Sequence, residues 1–195
     1  MILLLALAAG LLTGLALAQW KGNLYRVPEL KYLWLVFAAF LPQFVLVYFP
    51  ATRRLFPDWF AAGLLPVSQV MFLAFAWLNR RIWGMVILLC GVVLNLSVMT
   101  ANGGFMPISP QTASRLVSED TLQDSQSGSR FGPKDVLLDP QDTRFEWLAD
   151  RFLPPAWFPY QVAFSLGDVF IALGVFFLLA NPVPSMKFIQ RGIFT

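Results

Sequence analysis

The chain has 195 residues, enough for one domain; 57% are hydrophobic, 13% are charged, and the net charge is +3. Soluble domains carry about 25% charged residues, so a lipid bilayer is the expected solvent. There is no histidine and a single cysteine, Cys90, which excludes an internal disulfide, histidine-ligated haem, histidine zinc sites and histidine general bases. No cofactor or metal is expected. The basic residues gather at the ends of apolar runs, where membrane topology accounts for them, and nucleic acid is not an expected partner.

Met1–Ala18 is almost wholly apolar and long enough to cross a membrane as a helix. Ala16-Leu17-Ala18 before Gln19 looks like a leader-cleavage site, but no positive charge precedes the stretch, so a retained helix is expected. Ala6, Gly10, Gly14 and Ala18 place a small residue at every fourth position of that helix. Such a stripe suits close helix–helix packing, within the chain by default or against another protein. Four further spans are expected at Tyr32–Phe49, Trp59–Leu78, Ile82–Ala101 and Gln161–Ala180, each near the length a ~30 Å hydrocarbon core requires. Pro42 and Pro66 interrupt two of them, tolerable where neighbours satisfy the freed carbonyl. The expected fold is therefore all-α, a bundle of about five transmembrane helices.

Lys21, Arg26 and Lys31 lie in the first connection, Arg80 and Arg81 in the third, and Lys187 and Arg191 in the tail. Placing them inside puts the N-terminus outside and the C-terminus in the cytoplasm of a bacterial plasma membrane. The connection with Arg53, Arg54 and Asp58 then faces outward against the rule. The long loop, about 102–160, also faces outward; it holds eight acidic residues, from Glu119 to Asp150, against five basic ones. Within it, Ser109-Pro110 signals a short helix to about Val117. Asp124–Pro133 reads as mobile. Asp139-Pro140 signals a helix to about Phe152, whose Phe145, Leu148 and Phe152 would make one apolar, interfacial face.

Asp168 is the acidic residue inside an expected span, and a carboxylate in hydrocarbon needs partners. Counted along its helix it lies ~12 Å below the outer end, with Gln43 and Asn95 at comparable depth and Gln69 nearer the middle. Gln161, Ser165 and Asp168 would share one helical face, and Asn95 and Asn102 another. Together these residues would line a polar pocket opening outward, or form an interhelical hydrogen-bond network worth about 1 kcal/mol per contact. In Asn102-Gly103-Gly104-Phe105-Met106-Pro107 the glycines permit positive φ and the proline delays any further helix.

Asn95, the stretch Ala101 to Ser109, and Phe164-Ser165-Leu166-Gly167-Asp168 followed by Ala172-Leu173-Gly174 resemble a group of bacterial membrane proteins known as domain of unknown function 5317. The resemblance spans nearly the whole chain and implies a small helical membrane protein; the Ser-rich part of the loop looks like an insertion. A second, local likeness is to lipoprotein signal peptidases, membrane aspartyl proteases with a Phe-Asn-x-Ala-Asp motif at the last span. It implies Asp168 and Asp150 as a catalytic pair, 18 residues apart here, sharing a proton to activate water. Ser165 and Gly167 depart from that motif, and the family's Asn-x-x-Asp-Arg segment is missing. The leading expectation is a non-enzymatic subunit that meets membrane lipids and other membrane protein subunits. A lipid or small-molecule binder using the outer pocket, and an aspartyl peptidase, are the alternatives.

Overall fold

A computed structural model describes residues 2–49, 56–118, 122 and 126–181. Arg53, Arg54, Glu119, Asp120, Asp124, Lys187 and Arg191 lie outside the described residues. The principal helices are α1 (Ile2–Trp20), α2 (Trp34–Tyr48), α3 (Asp58–Leu78) and α4 (Trp83–Ala101). Strand β1 (Met106–Ile108), the one-turn α5 (Pro110–Ala113) and strand β2 (Asp135–Leu137) follow, and α6 (Leu166–Ala180) closes the described chain. Helices α1, α3 and α4 are long and apolar enough to cross a membrane. At 15 residues each, α2 and α6 reach only about 22 Å, short of a ~30 Å core. The expectation of five full-length spans is thus met by three helices.

The closest neighbours run α2–α3–α4–α6–α1. Directions alternate along the chain: Gln43 of α2 meets Ser68 of α3 while Lys31 meets Asn79, and Gly84 and Gly91 of α4 meet Gly174 and Gly167 of α6. In contrast, α1 runs parallel to α6, with Gly10 against Phe176 and Gly14 against Leu179. Gly10, Gly14 and Ala18 are buried there, so the stripe that also includes Ala6 packs inside the chain. The α4–α6 seam is lined by glycines from both helices. A Cβ on Gly91 would come 2.5 Å from the Gly167 carbonyl oxygen, so only glycine lets these backbones approach so closely. Most of α1 faces outward: Leu4, Leu5, Leu7, Leu11, Leu12 and Leu15 are exposed, far more apolar surface than water-soluble monomers present.

The described residues between 102 and 165 form a cap over one end of the bundle, and it is not purely helical. β1 and β2 pair in parallel, Met106 with Asp135 and Ile108 with Leu137, which corrects the all-α expectation. Met106, Pro107 and Ile108 of β1 and Val136 and Leu137 of β2 are buried. The stretch expected to be mobile folds back on β2 in its described part, with Gly128 N–H donating to Leu137 O and Phe131 N–H to Asp135 O. Ser109 caps α5 as anticipated, its Oγ accepting from Thr112 N–H, though the helix ends at Ala113. The expected helix from Asp139 to Phe152 is reduced to a 3-10 turn, Glu146–Leu148. Asp150 instead bridges to Ile108, and Phe152 pairs with Phe164.

Pro66 and Gly104 connect cap and bundle. Pro66 has no amide hydrogen for the Ala62 carbonyl, and Gly104, with φ +91°, lies directly against that carbonyl. An apolar core of Ala61, Leu65, Val98, Met99, Phe105, Met106, Val136 and Leu148 spans the same boundary.

Candidate functional site

The polar residues beneath the cap fall into separate clusters. Asp168 is not deep in a helix. Residues 161–165 are extended, and Ser165 caps α6, so Asp168 occupies the third helical position. The two form a reciprocal capping box: Ser165 Oγ accepts from Asp168 N–H at 3.1 Å, and Asp168 Oδ2 accepts from Ser165 N–H at 3.1 Å. Asn95 completes a clasp between α4 and α6. Its Nδ2 donates to Asp168 Oδ1 at 2.8 Å, and its Oδ1 accepts from Ser165 Oγ at 2.9 Å. The glycine seam places Asn95 there: its Oδ1 lies against Gly167 Cα, where any Cβ would collide. A carboxylate at a helix N-terminus also complements the helix dipole.

Next to the clasp, inside the cap, lies an ionic cluster. Asp150 is 1% exposed, and its Oδ2 accepts from Lys134 Nζ at 2.5 Å. Lys134 Nζ lies 3.6 Å from Asp135 Oδ1. Asp150 Oδ1 and Asp135 Oδ1 are both buried without a hydrogen-bond partner among the described residues. Burial pushes the Asp150 carboxyl up to about 8; the Lys134 ammonium opposes the rise, while Asp135 and Asp168 add to it. Burial acts to lower Lys134, but Asp150, Asp135 and Asp168 outweigh it and hold the ammonium well above its ordinary range. The two directions are compatible. One ammonium faces three carboxylates, so Lys134 keeps its proton and Asp150, the most buried acid, takes one up near neutral pH.

Asp168 is thus close enough to Asp150 to shift its titration, but both Asp168 oxygens are already bonded to Asn95 and Ser165. The other expected pocket residues lie elsewhere. Gln43 Nε2 donates to Ser68 Oγ at 2.6 Å between α2 and α3, and Gln69 Oε1 is buried without a hydrogen-bond partner among the described residues. Asn102 ends α4 and holds the cap, donating to Arg144 O at 2.8 Å and accepting from Arg144 N–H at 2.9 Å. Gln161 Nε2 bonds Pro155 O and Phe158 O. Among the described residues these side chains do not converge on one polar pocket: Asn95 bonds Ser165 and Asp168, Gln43 bonds Ser68 and Asn102 bonds Arg144, each at its own helix contact.

Lys134 and Arg130 were not anticipated. Arg130 is buried, donates to Pro133 O at 2.7 Å and reaches Asp58 Oδ1 at 3.4 Å, tying the cap to the start of α3. The signal available was that Lys134 is the single lysine of the long loop, immediately before the strand-like Asp135-Val136-Leu137.

These features define a class: an apolar helical bundle, compatible with a membrane protein, closed at one end by a small cap over a glycine seam and an asparagine–carboxylate clasp. The chain belongs to the family of unknown function DUF5317, whose model matches residues 28–180. An uncharacterized protein of Thermotoga maritima is 33% identical over 123 residues, 61% of this chain and 64% of that protein. The chain therefore spans less than two thirds of the length of this relative. No solved structure matches it.

Proposed function

We propose that the chain is a five-span, non-enzymatic component of a bacterial plasma-membrane protein complex, with the N-terminus and the cap outside and the C-terminus in the cytoplasm. Alternating helix directions support five crossings. The two short helices would be completed by flanking residues, such as 161–165 before α6, and by local thinning of the bilayer. Lys21, Arg26, Lys31, Arg80 and Arg81 all fall in the connections at the end away from the cap, against one carboxylate, Glu29. That asymmetry favours this end as cytoplasmic.

The observation that carries the non-enzymatic reading is the commitment of the carboxylates. Asp168 spends both oxygens on the Asn95–Ser165 clasp, and Asp150 lies under Lys134 at 1% exposure. A peptidase pair would instead present two carboxyls to one water. The exposed face of α2, with Phe37, Phe40, Leu41 and Phe44, offers apolar surface for lipid or for another subunit. Mild detergent extraction followed by native mass spectrometry tests the reading: a stoichiometric membrane partner is expected, and a chain that runs alone as a monomer refutes the subunit role.

A further inference from the structure

We propose that the end of the bundle opposite the cap binds the headgroup of an anionic phospholipid. The site is a groove of about 280 Å³ where the α1–α2 connection meets the turn between α3 and α4, lined by Glu29, Lys31, Asn79, Arg80 and Arg81.

The groove is built on a rigid scaffold. Asn79 is buried at 4% exposure; its Oδ1 accepts from Lys31 N–H at 2.8 Å, and its Nδ2 donates to Lys31 O at 3.0 Å and Phe75 O at 2.9 Å. One side chain thus locks two connections together and fixes where the Lys31 and Arg81 side chains start. Arg80 is oriented by its own helix, donating to Trp77 O at 3.0 Å with its guanidinium 4.4 Å from the Trp77 ring centroid. Lys31 Nζ and the Arg81 guanidinium have no hydrogen-bond or ion-pair partner among the described residues. Three cations therefore face one carboxylate, and two of them are uncommitted. The N-terminus of α4 lies beside them, with no side-chain cap and no acidic residue in its first turn, and adds the positive end of a 19-residue helix dipole.

Guanidinium and ammonium groups converging with a helix N-terminus suit a phosphate. The surroundings favour a lipid phosphate over a free one. Trp34, Trp77 and Trp83 are exposed around this level, the depth at which tryptophan marks the headgroup region. Leu78 and Ile82 supply an apolar floor for the glycerol end of the lipid. Basic pockets between helix ends are where anionic headgroups bind.

The inference rests on the membrane reading above, and the test separates the two. The full chain, purified in mild detergent, is titrated with phosphatidylglycerol or phosphatidylcholine and bound lipid is counted by native mass spectrometry. In parallel, the chain is reconstituted into vesicles of both lipids and floated. A preference for phosphatidylglycerol is expected, falling about fivefold per residue in Arg81→Gln and Lys31→Gln and rising in Glu29→Gln. Arg26→Gln, in the same α1–α2 connection but outside the groove, should leave it unchanged. An equal loss in Arg26→Gln would assign the effect to diffuse charge and overturn the site. Floating vesicles without lipid preference would also overturn it. Displacement by millimolar inorganic phosphate would reassign the groove to a free anion, and failure to float would overturn the membrane reading itself.

Discussion

The Asn95–Ser165–Asp168 clasp makes a quantitative prediction. Asp168→Ala removes two acceptors at once: the partner of Asn95 Nδ2 and the partner of Ser165 N–H. Loss of the capping arm costs about 1 kcal/mol. The Asn95 amide, 4% exposed, is then left with an unpaired donor, costing roughly 1–3 kcal/mol more. Asn95→Ala removes the same interhelical bond from the other side, together with the acceptor for Ser165 Oγ. Because the singles share one bond, the double variant should be less destabilised than their sum by about 1–2 kcal/mol, near the upper range for polar contacts between membrane helices. Asp168→Asn should cost less than Asp168→Ala, since an amide oxygen can still accept from Ser165 N–H while Asn95 reverses its own amide. Equilibrium unfolding of the detergent-solubilised protein, followed by helical circular dichroism, measures all four variants. Additivity within about 0.5 kcal/mol would refute the clasp as a coupled unit. Full stability in Asp168→Asn with loss of a cellular activity would move the residue from packing to function.

The ionic cluster gives two further predictions. Because Lys134 opposes the rise of the Asp150 carboxyl, the cost of Lys134→Met should be small at pH 5, where Asp150 is neutral, and grow toward about 3–5 kcal/mol above about pH 8, where the buried carboxylate would be ionised without a cation; Lys134→Met with Asp150→Asn should recover part of that loss in the same unfolding assay, and no recovery would argue against the pair. Asp150 has a folded pKa of about 8 against an ordinary 3.8. A raised carboxyl contributes stability that is fully present below about pH 4 and is lost as pH rises to about 8. Lys134, also raised, loses nothing in that window. The stability difference between the parent chain and Asp150→Asn should therefore shift against the parent from pH 5 to pH 8, and a pH-independent difference would contradict it. Finally, Gly103 and Gly104 both have positive φ, but only Gly104 meets another backbone, at Ala62. Gly103→Ala should cost about 1 kcal/mol and Gly104→Ala clearly more in thermal melts; equal effects would remove the close contact from the account.

Much of the bundle was legible in the chain, because hydrophobic length and composition are local properties. The starts and stops of α3 and α4 fall within a residue of where the apolar runs predicted them. Small residues at Ala6, Gly10, Gly14 and Ala18 announced a packing face, although not that α6 would cover it. The capping box at Ser165-x-x-Asp168 was also visible. Counting residues along an assumed longer helix obscured it and placed Asp168 too deep. Less legible was anything that depends on which elements meet. Gly84 and Gly91 match Gly167 and Gly174 at the same seven-residue spacing, but only antiparallel packing shows that they oppose one another. A three-residue strand carries too little periodicity to announce its partner 29 residues away, so the β1–β2 pairing and the burial of Asp150 were decided by the fold. Composition and hydropathy thus determined, by themselves, which helices are long and apolar enough to cross a membrane, and the boundaries of α3 and α4 to within a residue. Tertiary structure alone decided which polar groups share a site, since a hydrogen bond between Asn95 and Asp168 needs two backbones brought together by glycines far apart in sequence.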